Sequence, residues 1–239
     1  MKLLIYGHQT QDITELAKKA GFEIVTDAYQ VHEQFDQAGN PNFVVASYGG
    51  DGTFLKAEEK YPGIPKLAIR RSRVCKLCSN LPTEEIFRKL LKDEYIIKEE
   101  LKIEAVSNGI KIIGINEIVI HNIDARRAIR YEIFVNGKKV SHEIIGDGVV
   151  ISTPHGSTGY YRSITGSFFE VGIGMAFNNS TEQSDHMVLK DSSEIVVKII
   201  RGKAIVYADN SEKEIILEDG HEIVIRKHIN NARIIKFVK

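Results

Sequence analysis

The sequence predicts two domains of different class: an N-terminal α/β domain on a mostly parallel sheet, then an all-β, sandwich-like domain. Three observations carry this. Strand-like and helix-like patterns alternate over residues 1–94, and such alternation implies an open sheet with helices on both faces. Over residues 95–239 the texture changes to period-two strand runs, punctuated by Asn108-Gly109 and Asn136-Gly137, which are tight hairpin turns. The chain has 239 residues, 43% of them hydrophobic and 27% charged, enough for one large or two modest globular domains.

The elements follow in order. Lys2–Tyr6 is an apolar run that opens the core as a strand. Ile13–Ala20 has the spacing of an amphipathic helix, and Gly21 ends it. Phe22–Val25, Phe43–Ser47 and Lys66–Ile69 are short apolar runs and read as strands. Leu55–Lys60 reads as a helix, and so does Pro82–Leu91, which starts with a turn residue followed by acidic side chains. In the β-rich part the strands are Tyr95–Lys98, Leu101–Val106, Ile110–Ile113, Ile129–Val135, Glu194–Ile200, Ala204–Tyr207, Glu214–Leu217 and Glu222–Ile225. Whether the last apolar run, Ile234–Val238, returns to the first domain is left open by the sequence.

Bulk properties exclude several function classes. Lys plus Arg and Asp plus Glu each number 32, so no broad basic footprint for nucleic acid is present. No apolar run is long enough to span a bilayer, and the start turns polar too quickly for a signal peptide, so a cytoplasmic protein is expected. Cys75 and Cys78 are the only cysteines. Without a second pair or a nearby histidine a zinc site is disfavoured, and two reduced thiols are the expectation.

The most informative stretch is Tyr48-Gly49-Gly50-Asp51-Gly52-Thr53-Phe54-Leu55. It joins a strand to a helix at the carboxyl end of the strand, where open α/β sheets bind ligands. Glycines there permit close backbone approach and positive φ, and the helix start offers unpaired N–H groups to an anion. Asp51 is a poor phosphate partner by itself. Its place in the turn points to a base or metal-linked group beside a polyphosphate, hence a nucleotide-dependent phosphotransferase.

Two more segments stand out. In Gly114–Ile120, Asn116 and Glu117 interrupt an apolar strand, and burying them needs partners; an exposed strand end is the plainer reading. Gly146-Asp147-Gly148 leads through a strand into Ser152-Thr153-Pro154-His155-Gly156-Ser157-Thr158-Gly159-Tyr160. Its small hydroxyl residues offer hydrogen-bond groups without bulk, as a nucleotide pocket requires, or else they simply close a hairpin. Tyr207–Ser211 looks like a plain turn.

Together these motifs resemble the NAD kinase family, whose pattern is G-G-D-G-T, then N-E, then G-D-G followed by S-T-P-x-G-S-T-A-Y. The likeness runs from Val44 to Ile225. G-G-D-G alone is shared with lipid kinases and phosphofructokinases, whereas the three in order are specific. The resemblance implies an enzyme that phosphorylates the adenosine ribose 2′-hydroxyl of NAD to give NADP, using ATP or polyphosphate and a divalent metal, with Mg²⁺ the expected ion. No metal-ligating residue is nominated. It implies Asp51 as general base and Gly49, Gly50, Gly52 and Thr53 around the donor phosphate. For NAD it implies Gly52, Asn116, Glu117, Arg127, Asp147, Thr158, Gly159, Tyr160, Ser163 and Asp209. Family members are dimers or tetramers, so a homodimer or homotetramer is expected.

The chain departs from the family pattern after the fourth strand. A glycine-bearing turn ending in G-F-L is replaced by Arg70-Arg71-Ser72-Arg73-Val74-Cys75-Lys76-Leu77. Arg70, Arg71 and Arg73 could grip phosphate as bidentate forks, or form a solvated charge run. Gly159 replaces the family alanine, and Tyr161 the following serine. Two other classes remain in view. A lipid or sphingoid kinase of the same superfamily wants a more apolar cleft. A non-catalytic NAD(P)-binding regulator has no need of Asp51.

Overall fold

The computed structural model describes residues 1–26, 43–73, 75–140, 142–182 and 186–237. Val74 and Val238, quoted above, lie outside them. The described chain separates into two units, residues 1–100 with 232–239, and residues 101–231.

The first unit is an α/β sandwich. Its strands are β1 (Lys2–Gly7), β2 (Glu23–Ile24), β3 (Phe43–Gly49), β4 (Lys66–Arg70), β5 (Ile96–Glu100) and the last strand of the chain, β19 (Ala232–Lys236). They lie in the order β2-β1-β3-β4-β19-β5. All pairs are parallel except β19 with β5. Successive side chains of a strand face opposite sides, and the core divides accordingly. Leu3, Val44 and Leu67 pack with Ile13, Ala17, Ile86, Phe87 and Leu90 of the helices Gln11–Ala20 and Thr83–Leu91. Leu4 and Val45 pack on the other face with Ala57 of the helix Asp51–Lys60, and with Tyr61 and Ile64. Helices therefore cover both faces. Gly21 ends the first helix at φ 101°, a left-handed value that glycine adopts without a Cβ penalty.

Two details differ from the sequence reading. The helix after the glycine turn begins at Asp51, not Leu55. Ile96–Glu100 groups with the β-rich region by its alternation, yet it pairs with Ala232–Lys236 in the first unit.

The second unit is all-β. Its strands are β6 (Ile103–Ser107), β7 (Ile110–Gly114), β8 (Glu117–Asn122), β9 (Ile129–Val135), β10 (Lys138–Lys139), β11 (Ile144–Gly146), β12 (Gly148–Ser152), β13 (Ile173–Asn178), β14 (Met187–Leu189), β15 (Ile195–Arg201), β16 (Ala204–Ala208), β17 (Glu214–Leu217) and β18 (Glu222–Lys227). One sheet runs β10-β9-β15-β18-β6-β7 with β11 beside β9, the other β14-β13-β12-β8-β16-β17. Inward residues of both, among them Ile103, Tyr131, Val197 and Ile223 against Ile118, Val149, Met175 and Val206, form one buried core. Asn108 and Gly109 at φ 50° and 77°, and Asn136 and Gly137 at 51° and 75°, make the expected turns, because tight hairpins need positive φ at both central residues. No helix among the described residues is long and apolar enough to cross a membrane.

Candidate active site

In the first unit the site is built on β3. Its five buried residues Phe43–Ser47 sit at the centre of the sheet, so the strand end is a rigid mount for the turn that follows. The turn does not use positive φ: Gly50 has φ −114°, and neither Gly49 nor Gly52 is left-handed. Glycine is needed for proximity instead. A Cβ on Gly49 would fall 2.2 Å from Thr53 Oγ1, so Thr53 of the first helical turn can close over the strand end only when residue 49 is bare. Gly50 C=O accepts the first helical N–H groups, from Thr53 and Phe54.

Asp51 is thereby the first residue of a helix, where a carboxylate is favoured by the aligned peptide dipoles. Its orientation is set from outside the helix. Lys76 N–H donates to both carboxylate oxygens at 3.0 Å, and Leu77 N–H to Oδ1 at 3.0 Å. The loop carrying these donors is secured by Arg71 N–H on Gly49 C=O at 3.0 Å and by Lys236 Nζ on Leu77 C=O at 3.0 Å. Beneath the helix, Lys66 is fully buried and paired with Glu58, and it donates to Ile64 C=O at 2.9 Å.

The arginines separate in role. Arg70 donates to Cys75 C=O at 3.0 Å and to Asn80 Oδ1 at 3.3 Å. Arg71 bonds His8 C=O and Gln9 Oε1, and lies over the Tyr48 ring. Both tie the loop to the unit. Arg73 is exposed. The expectation of two reduced thiols is overturned: Cys75 and Cys78 form a disulfide. The physical reason is the turn between them, which brings their Cα atoms within 5.5 Å, inside the range a disulfide spans.

In the second unit the site centres on the entry to β8. Asp209, at φ 51° in the turn after β16, accepts N–H bonds from Ile115 at 2.8 Å, Asn116 at 2.8 Å and Glu117 at 3.1 Å. Burial pushes its carboxyl above the ordinary range, and the three N–H groups pull it back. The other wall is the segment after β12. Thr153 N–H donates to Asn116 C=O at 2.9 Å, Ser152 Oγ to the same carbonyl at 3.2 Å, and Thr153 Oγ1 to Ile115 C=O. Ser157 Oγ donates to Pro154 and Phe169 carbonyls. These hydroxyls, read from sequence as pocket donors, are fully buried and wire the framework together. A Cβ on Gly156 would fall 2.2 Å from Asn116 C=O, so only glycine lets the two walls meet.

Glu117 lies within this frame. Its Oε2 is buried and has no hydrogen-bond partner among the described residues. Burial, then the Asp209 carboxylate, raise its carboxyl from 4.5 to about 7. Gly159 borders it: a Cβ there would lie 3.9 Å from Oε2. The same fields reach Tyr160, whose hydroxyl is pushed up by burial and then by Asp147 and Glu117, and which accepts from Asn178 Nδ2 at 3.1 Å. Asp147 is held by Asn122 Nδ2 at 3.1 Å and Asn179 Nδ2 at 2.6 Å. Gly148 beside it must be glycine: φ is 146°, and a Cβ would sit 1.9 Å from Ile120 C=O.

The second unit thus gathers Asn116, Glu117, Asp147, Gly159, Tyr160 and Asp209 into one neighbourhood, with Thr158 and Ser163 exposed on the flanking segment. Arg127 is not brought in; its side chain is 83% exposed and rests on Asp124. Two neighbours were missed. His155 acts electrostatically on Asp209, and Tyr207 feels Tyr160 and Glu117. His155 was visible inside the motif, whereas Tyr207 was hidden in an ordinary strand.

Comparison with known proteins bears on the family and the fold. NAD kinases of Pyrococcus furiosus and Thermococcus gammatolerans are 26% and 28% identical, over 95% and 94% of this chain and 88% and 87% of theirs. A yeast NADH kinase complexed with NADH superposes with a TM-score of 0.83 at 18% identity, covering 100% of this chain and 84% of that one. An Archaeoglobus fulgidus NAD kinase in complex with ATP gives 0.78 at 23% identity, covering 99% and 94%. The profile of the family described as ATP-NAD kinase C-terminal domain matches residues 115–237, more than half of the chain, and this protein is therefore a member of the NAD kinase family.

Proposed function

We propose that the chain transfers the terminal phosphate of ATP, or of polyphosphate in its place, to the adenosine ribose 2′-hydroxyl of NAD, giving NADP and, from ATP, ADP. The observation that carries this is Asp51: a carboxylate on a helix start at the end of a central strand, its rotamer fixed by two backbone N–H groups. A hydroxyl nucleophile needs a proton acceptor held within reach. Asp51 takes the proton as the 2′-oxygen bonds to the γ-phosphorus, and the bond from that phosphorus to the β,γ-bridging oxygen breaks.

Gly49, Gly50, Gly52 and Thr53 shape the donor side of the turn. Arg73 is the arginine we assign to donor phosphate, since Arg70 and Arg71 are committed to the loop. Gly52, Asn116, Glu117, Asp147, Thr158, Gly159, Tyr160 and Ser163 bind NAD. Asp209 holds the backbone on which Asn116 and Glu117 ride, and the exposed Arg127 side chain meets the dinucleotide from outside that neighbourhood. Glu117, whose carboxyl is raised to about 7 by burial and by Asp209, can either donate to or accept from a ribose hydroxyl. No group of three or more His, Cys, Asp or Glu side chains converges among the described residues. A magnesium ion would therefore be carried mainly by the donor phosphates, as Mg²⁺ commonly is, and would spread the charge of the transferring group.

The test is incubation with Mg²⁺, ATP and either NAD or a sphingoid base. NADP formation is expected, and lipid phosphorylation without NADP would overturn the assignment. Linear tetrapolyphosphate or longer polyphosphate in place of ATP reads the donor preference.

A further inference from the structure

We propose, on the reading of Asp51 as the base, that Cys75 and Cys78 are a redox modification site that sets the turnover of Asp51. The disulfide is the fast form and the dithiol the slow one. The disulfide ring encloses two residues, Lys76 and Leu77, and these supply the two N–H groups that aim the Asp51 carboxylate, each at 3.0 Å. Cys75 Sγ itself lies 3.4 Å from Asp51 Oδ1. Cys78 N–H points to the same sulfur at 3.2 Å.

The two oxidation states differ chemically at that contact. A disulfide sulfur carries no hydrogen, so beside Oδ1 it donates nothing. A Cys75 thiol at the same place is an S–H donor to the carboxylate that must receive the substrate proton. Reduction also opens the ring that fixes the direction of the two N–H groups. Both changes slow proton acceptance, and neither alters the side chains of the second unit assigned to NAD. Lys236 still holds Leu77 C=O, so the loop is loosened rather than expelled.

The chemistry is thiol–disulfide exchange with a dithiol reductant. One reductant thiolate attacks a sulfur of the Cys75–Cys78 bond, forming a mixed disulfide and releasing the other cysteine. The second reductant thiol then displaces the first cysteine. The reductant leaves as its own disulfide, and two electrons and two protons reside on Cys75 and Cys78. Both sulfurs are largely buried, but Cys78 lines a cleft of about 130 Å³ with Leu67, Leu77 and Lys236, an entry for a small dithiol.

The experiment compares fully oxidised protein with protein reduced by dithiothreitol, with thiols counted by alkylation and mass spectrometry. At saturating NAD and ATP, reduction is expected to lower kcat about tenfold, equivalent to about 1.4 kcal/mol. The KM for NAD should stay within about twofold, and reoxidation should restore the rate. Cys78→Ser keeps the Cys75 donor without the ring and should run at the reduced rate under both conditions, with an unfolding midpoint close to that of reduced parent. Equal kcat in the two states, or a disulfide that native protein does not yield to dithiothreitol, overturns the proposal. If Asp51→Asn is inactive in that case, the base reading survives alone. A parental kcat in Asp51→Asn overturns both.

Discussion

Glu117→Gln isolates the most perturbed carboxyl of the second unit. Glu117 is buried, its Oε2 lacks a partner among the described residues, and its carboxyl is raised from 4.5 to about 7 by burial and by Asp209. A raised folded-state value means that the folded protein holds the proton more tightly than the unfolded chain. The associated stability is fully present below about pH 4.5 and is lost as pH rises to about 7. At 1.36 kcal/mol per pH unit the whole change is about 3 kcal/mol. Glutamine has nearly the same shape and no titration, so the variant should lose this slope. Urea unfolding from pH 4.5 to 8.5 should show the parent losing about 3 kcal/mol more than Glu117→Gln across that window. The variant should also show a raised KM for NAD. Parallel stability curves for the two proteins would refute the claim that an uncompensated carboxylate is buried here.

Lys66→Met removes the ammonium paired with buried Glu58, and breaking such a pair costs about 3–5 kcal/mol; chemical denaturation should show the loss. Gly156→Ala pushes a methyl against the Asn116 backbone, 2.2 Å from its carbonyl oxygen. Overpacking of this kind costs about 1–3 kcal/mol, and the KM for NAD should rise with little change in that for ATP. Self-association is expected, and light scattering should return a dimer or tetramer, whereas a fully active monomer at assay concentration contradicts it.

The features legible in the sequence were those with local signatures. β3 is a continuous apolar run ended by glycines, and the Asn-Gly turns at residues 108 and 136 dictate their own hairpins. What stayed hidden depends on contacts between segments far apart in the chain. Asp209 reads as a turn residue, because its three N–H partners lie more than 90 positions earlier. The Ser152 and Thr153 hydroxyls look available until the residues leading into β8 are placed beside them, and that of Ser157 until the Phe169 carbonyl is. Gly49 signals freedom of φ in sequence, while its actual role is room for Thr53. β5 joins the first unit because β19 returns to pair with it, a choice that alternation cannot reveal. Ile173–Asn178, which carries no strand signature of its own in the sequence, is a buried strand set between β12 and β14.

The most direct test of the account is the single-turnover rate of NADP formation in Asp51→Asn, with NAD affinity measured on the same protein. Loss of a general base slows the chemical step about 10²–10⁴-fold, so a rate reduced by that factor with an unchanged Kd for NAD is expected. A rate close to the parent's, in a folded variant that binds NAD normally, would contradict the assignment of Asp51 as the base.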